Sequence, residues 1–241
     1  MNKKFSSRSA QINQQKQDIA EMFDQISDNY DFLNRLFSFR FDVYWRRSLV
    51  KGAKLQDEDF VLDLATGTGD LAFAIKRHKP DVRVVGTDVA KKMLIIAKEK
   101  AKMKSVKIDF CQKKVNFLPF EQQSFDHVFI SFGVRNFANI HGELQEVYRV
   151  LRPKGRIHIV DFFQQQSSVG KMFINLYVSV LMPSIVALFY KNKSAYNYLP
   201  NSIKTFYKSK KFKEIVSNCG FKFVEERKLS FGLCEIVRFE K

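Results

Sequence analysis

Val61-Leu62-Asp63-Leu64-Ala65-Thr66-Gly67-Thr68-Gly69-Asp70 is the stretch whose reading decides the fold. With Phe60 it begins as a short apolar run, Phe60–Leu64, that reads as a buried strand. Gly67 and Gly69 then punctuate the chain and let the backbone approach a ligand with no Cβ in the way. A helical pattern, Leu71–Arg77, follows at once, so its N-terminus points at whatever sits over the turn.

The same alternation continues downstream. Val82–Gly86 reads as a strand, Ala90–Lys102 as a helix and Val106–Phe110 as a third strand. Phe125–Ser131 is a fourth strand, Ile140–Leu151 a helix and Arg156–Phe162 a fifth strand. This order predicts a parallel α/β sheet with right-handed crossovers. Phe221–Glu226 and Cys234–Phe239 are separated only by a turn-like stretch and predict an antiparallel pair at the end. Upstream, Asp18–Ser27 opens a helix, with Ile19, Met22, Phe23 and Ile26 at helical spacing. Aromatic-rich helical sequence runs on to about Lys54, and residues 1–17 read as a loose polar tail.

Composition bounds the class. A chain of 241 residues with 45% hydrophobic content and 25 Phe supports a substantial core and excludes general disorder. Cys111, Cys219 and Cys234 are odd in number and lack metal or redox spacing, which predicts reduced thiols in a cytosolic protein. The four histidines are scattered, so no metal site is expected. The N-terminus has no apolar stretch of the signal-peptide kind. A net charge of +16 favours an anionic partner, either nucleic acid or an acidic membrane surface. From Met172 to Tyr190 there is no charged residue, but Pro183, Asn175, Ser179 and Ser184 interrupt it. A single span there would put two parts of one domain on opposite sides of a bilayer, so apolar cap helices are expected instead.

The turn also speaks to ligand chemistry. A dinucleotide fingerprint would carry a third glycine and seat a pyrophosphate on the helix N-terminus. Here the pattern is Gly-Thr-Gly-Asp-Leu-Ala, and Asp70 stands where the phosphates would lie. An acid suits a cationic or amino-acid group, such as the methionine moiety of a sulfonium cofactor, and Asp63 is read as serving the same side. Asp88 follows Gly69 by nineteen residues, the offset of a carboxylate that holds ribose hydroxyls. Ser131-Phe132-Gly133-Val134-Arg135-Asn136-Phe137 follows the fourth strand, where ligands gather in open sheets. The plain alternative for Arg135 is a surface ion pair.

Four further segments carry a resemblance. Tyr30-Asp31-Phe32-Leu33-Asn34 with Ser38 and Trp45, Phe132–Phe137, Arg149–Gly155 and Tyr196–Ile203 occur in the order and spacing of signatures in the ubiquinone/menaquinone biosynthesis C-methyltransferase family, which the chain resembles from Met22 onward. Departures occur at Asp42 (often His), Lys154 (the first of two glycines), Asp161 (usually Glu) and Lys114-Val115-Asn116 in the adenine loop. The resemblance implies a Rossmann-like sheet of seven strands with the last antiparallel, N-terminal helices and an inserted helical cap. It implies S-adenosyl-L-methionine as cofactor, held by Thr68, Asp88, Lys114, Val115 and Ser131, and the reading of the turn adds Asp63, Gly67, Gly69 and Asp70 to the cofactor side. The whole chain is then one domain, with N-terminal helices at 1–54, the cofactor core at 55–163, the cap at 164–205 and a C-terminal helix and strand pair at 206–241.

The implied reaction is methylation of a ring carbon of a prenylated quinol. Deprotonating a ring hydroxyl loads electron density onto the ortho carbon, which then displaces the sulfonium methyl. Arg135 is expected at the ring oxygen, Tyr30 and Asn136 to orient or relay a proton, and Asp70 or a water as the base. Demethylmenaquinol is the preferred acceptor, with a benzoquinol of ubiquinone biosynthesis as the alternative. Sterol or phospholipid methylation, a nicotinamide oxidoreductase and a basic nucleic-acid-binding protein are the remoter readings. Expected partners are the quinol and an anionic membrane surface to which the protein attaches peripherally from the cytoplasm, with no nucleic acid; a homodimer is left open.

Overall fold

The computed structural model describes residues 2–164 and 194–241, with side chains from Gln17 onward apart from those of 194–197, 199 and 200. The expected cap segment Met172–Tyr190 lies outside the described residues.

The glycine turn folds as expected. β1 (Phe60–Leu64) enters it and α3 (Asp70–His78) leaves it. β2 (Arg83–Asp88), α4 (Lys91–Met103), β3 (Asp109–Gln112), β4 (Phe125–Ser131), α5 (Ile140–Val150) and β5 (Leu151–Asp161) complete the alternating part. α6 (Ser194–Thr205) and α7 (Ser209–Asn218) lead to β6 (Lys222–Leu229) and β7 (Cys234–Glu240). The seven strands form one sheet in the order β3-β2-β1-β4-β5-β7-β6. β1 to β5 run parallel, whereas β7 pairs antiparallel with both β5 and β6.

Both faces of the sheet are covered, and the pleat sorts the side chains between them. Leu62, Leu64, Val128, Ile130, Ile157 and Ile159 join one core with α5 and α7. Val61, Val84, Phe129, Val160 and Ile236 join the other, with α2 (Phe41–Lys51), α3 and α4. Strands buried on two sides read as continuous apolar runs, which is why β1 and β4 are legible in the sequence.

Three expectations need correction. α1 spans Asn2–Phe37 and takes in the supposed polar tail. The stretch holds no Gly or Pro, so nothing in it breaks a helix. The third strand begins at Asp109, not Val106, because β3 is an edge strand that pairs only where β2 runs beside it, from Val85↔Asp109 to Asp88↔Gln112. β5 starts early, at Leu151, which pairs with Phe125 across an irregularity in register.

Candidate active site

β1, β2 and β4 end side by side, and α1 crosses above them. The cleft between is lined from the sheet by Ala65, Gly67, Thr87, Asp88, Ser131 and Gly133. From α1 come Ile19, Phe23 and Tyr30, and from the 3-10 turn Val134–Asn136 and its exit come Asn136 and Phe137.

Two close approaches shape the floor. A Cβ on Gly133 would sit 2.8 Å from the Ala65 Cβ, so glycine lets the ends of β1 and β4 meet. A Cβ on Gly69, whose φ is 85°, would strike the Phe110 ring at 2.9 Å, whereas one on Gly67 would meet nothing within 4 Å. Gly67 faces open space; Gly69 serves packing.

Asp88 accepts the Gly67 N–H at 2.8 Å and the Ala90 N–H at 2.9 Å. Burial raises its pKa, against those donors. Each oxygen keeps a lone pair for a hydroxyl donor. The Thr87 and Ser131 hydroxyls have no partner among the described residues, and both residues line the cleft. Asp63 is buried behind the turn, where one oxygen takes the Thr66 hydroxyl at 2.6 Å and the Ala72 N–H at 2.9 Å. It fastens the turn to the first turn of α3 and does not line the cleft. Burial pushes its carboxyl up to about 7 despite these two bonds.

Asp70 does not face the cleft lining either. It is bound by Arg35 at 2.5 Å and Lys100 at 2.8 Å, with Arg46 at 3.9 Å. Burial alone would raise its pKa, but Arg46, Lys100 and Arg35 outweigh it and hold the carboxyl well below the usual range. So placed, its carboxylate is taken up by three cations and stays ionised at neutral pH, which argues against its service as the base. Asp42, a departure from the family signature, belongs to the same cluster and accepts from Arg35, Arg46 and Ser38. Thr68 turns from the cleft as well and donates to Asp31.

The cluster explains how α1 is held above the sheet. Asp24, Asp31 and Arg35 lie along one stripe of the helix. Asp24 accepts the Lys92 N–H at the start of α4 (2.8 Å), Asp31 takes Lys100 (2.8 Å) and Arg35 takes Asp70. These ties turn Phe23 and Tyr30 toward the cleft.

On the opposite wall, Arg135 is not a surface ion pair and does not line the cleft. Its side chain is buried, with Nε bonded to Asp161 at 2.5 Å, Nη1 to Ser202 and Phe162 beneath it at 5.5 Å. Burial raises the Asp161 pKa, and Arg135 opposes this. Asn136 does line the cleft and accepts the Tyr198 hydroxyl at 2.6 Å. α6 thus brings Tyr198 and Ser202 onto neighbouring residues of one turn. Lys114 is exposed and bridges to Phe117, while its neighbours Lys113 and Val115 line the cleft. Lys113 and Val89 escaped the sequence reading, although both follow strand ends, where ligands are expected.

The residues at the strand ends fit a nucleoside. Asp88 is placed for ribose hydroxyls, and Val89, Met93 and Val115 supply an apolar wall. Fold and site together define an S-adenosyl-L-methionine-dependent methyltransferase.

Within that class the chain belongs to the ubiE/COQ5 methyltransferase family, whose model matches residues 10–240. A protein of Thermus thermophilus named demethylmenaquinone methyltransferase is 39% identical over 215 residues, 89% of this chain and 97% of its own length. A Geotalea daltonii protein named ubiquinone/menaquinone biosynthesis C-methyltransferase UbiE is 37% identical over 226 residues, 92% of this chain and 96% of its own. Among solved structures, a SAM-dependent methyltransferase from Aquifex aeolicus shares the fold, with a TM-score of 0.64, 18% identity and coverage of 87% of this chain and 97% of that one.

Proposed function

We propose that the chain methylates a ring carbon of a prenylated quinol, converting demethylmenaquinol to menaquinol at the last step of menaquinone biosynthesis. The observation that carries this reading is the joining of two family signatures at one cleft wall, where Tyr198 holds Asn136 and Ser202 holds Arg135. The names of the relatives from Thermus thermophilus and others support the acceptor. The relatives named for both pathways favour a second acceptor, the benzoquinol of ubiquinone biosynthesis.

When bound, the cofactor supplies an electrophilic methyl group on sulfur. The protein's share is to align, exclude water and hold charge. Phe23, Phe132 and Phe137 make the acceptor side apolar. Burial raises the Tyr30 pKa, against a hydrogen bond with Asn34, so its phenol stays protonated and acts as a donor to the ring oxygen. Asn136, oriented by Tyr198, offers its amide N–H to the same region. Arg135, locked by Asp161, stabilises the developing phenolate from behind the wall and positions Asn136. With Asp70 held ionised by three cations, solvent at the cleft mouth takes the quinol proton.

The test is a methylation assay with labelled cofactor offering both quinol types. The naphthoquinol is expected to be methylated faster; transfer to neither refutes the reading. An Arg135→Ala protein is expected to bind cofactor normally and lose turnover, and full turnover would remove Arg135 from the mechanism. We also propose peripheral attachment to the inner face of the membrane, driven by the +16 charge and the apolar acceptor. Among the described residues no helix is long and apolar enough to cross a membrane. Vesicle binding should strengthen with anionic lipid and fade in high salt; equal binding to neutral vesicles contradicts it.

A further inference from the structure

Large aromatic rings are exposed at two turns that meet at one buried indole. The turn between α1 and α2 presents Phe39 (64% exposed) and Phe41 (50%), and the turn between β6 and β7 presents Phe231, fully exposed. Phe41 stacks on Trp45 with ring centroids 6.1 Å apart, and the Trp45 Nε1 donates to Ser230, the neighbour of Phe231, at 2.9 Å. Both turns hold their rings outward on left-handed backbone: φ is 49° at Phe39, 64° at Arg40, 47° at Ser230 and 56° at Phe231. Side chains other than glycine rarely adopt that conformation. Neither apolar burial nor backbone preference accounts for rings displayed in this way.

The charge around them is one-sided. From Ser38 to Lys54 the sole acid is Asp42, which is buried against Arg46 and Arg35. Arg40, Arg47 and Lys51 are exposed on the same stretch, with Tyr44 between them. Apolar aromatic rings beside cations, with no exposed acid between Ser38 and Lys54, match the interface of an anionic bilayer. The patch is also linked to the cleft by packing, since the buried Trp45 lies edge-on to Phe132 of the cleft wall with ring centroids 5.8 Å apart. A nucleic acid would find cations here too, but it would gain nothing from that continuity.

We propose that Phe39, Phe41 and Phe231, flanked by Arg40, Arg47 and Lys51, form the face that docks on an anionic lipid surface and delivers the apolar acceptor to the cleft two rings away. This inference rests on the peripheral attachment proposed above and assigns it a surface. Docking seats the three rings among the headgroups and sets the cations against lipid phosphate.

The test uses the full chain with phosphatidylcholine vesicles, with and without phosphatidylglycerol. Wild-type protein should bind the anionic vesicles, and the double variant Phe39→Ser/Phe231→Ser should bind them about tenfold or more weakly, from the apolar area lost. That variant should retain its affinity for S-adenosyl-L-methionine. Trp45 is the single tryptophan of the chain, so its quenching by brominated acyl chains reports the docked face with no substitution at all. Equal binding by wild type and variant, with Trp45 unquenched, overturns the surface and leaves peripheral attachment standing. If wild type binds no vesicle, the attachment itself fails, and the surface with it. Tighter binding to a generic RNA than to anionic vesicles also overturns the proposal.

Discussion

Thr68, inside the glycine turn, donates its hydroxyl proton to Asp31 of α1 across 2.6 Å, and Asp31 binds Lys100 of α4 at 2.8 Å. The turn that shapes the cofactor cleft is thereby tied to the helix that roofs it. Replacing Asp31 by Asn removes the charge and keeps the shape. A charge-assisted bond contributes about 1.5 kcal/mol or more, so cofactor affinity in calorimetry should fall about tenfold. An unchanged Kd would show that α1 is held by its other ties.

Gly133 has an ordinary φ of −106°, so its requirement is steric. Gly133→Ala brings a Cβ against Ala65 at 2.8 Å and Ile130 at 3.0 Å. The variant should lose about 1–3 kcal/mol of stability from overpacking. Its cofactor affinity should fall as the ends of β1 and β4 spread, which the same titration and a urea melt can read.

A buried chain of hydrogen bonds crosses the far end of the sheet. Arg238 Nε donates to His158 Nδ1 at 3.2 Å, which puts the His158 proton on Nε2, aimed at His127 Nδ1 at 2.9 Å. His127 Nε2 then donates to Asp59 at 3.2 Å. Burial lowers both histidine pKa values; His127 and Arg238 add to this at His158, while Asp59 opposes it at His127. The folded state therefore favours neutral rings, and the unfolded chain binds the extra protons. The contribution is present above the ordinary value of 6.5 and is lost as pH falls below it. Thermal midpoints should drop from neutral pH toward pH 5, and a His127→Asn/His158→Asn protein should show a flatter profile.

Asp63 has the opposite sign. With its pKa raised from 3.8 to about 7, its contribution is present below 3.8 and is lost as pH rises toward 7. Asp63→Asn keeps an oxygen for Thr66 and Ala72 while removing the buried charge. Its stability relative to wild type should rise through this window and level off above it, by on the order of a few kcal/mol. Urea midpoints at acid and alkaline pH check the crossing.

Lys154 sits at φ 65°, where the family signature has glycine. The left-handed conformation costs a non-glycine residue about 1–2 kcal/mol, and the greater freedom of an unfolded glycine offsets part of that. Lys154→Gly should stabilise the fold by about 0.5–1 kcal/mol. Its backbone N–H bonds to Lys241 O at 3.1 Å in either case, so activity should not change.

The sequence by itself determined what is local. β1, the glycine turn and α3 are neighbours in the chain, and the two-faced burial of β1 and β4 leaves apolar runs that any reader can find. Asp88 at the end of β2 follows from the same strand periodicity. The extent of α1 and the start of β3 were less legible, because one depends on the absence of breakers and the other on where a neighbouring strand happens to lie. Tertiary structure alone decided the partners. Asp70 pairs with Arg35 and Lys100, Thr68 with Asp31, Arg135 with Asp161 and Asn136 with Tyr198. Among 41 cationic and 25 acidic side chains, spacing cannot say which will meet. Packing brings particular pairs together and strips away their water, and that makes one pairing far more favourable than the rest.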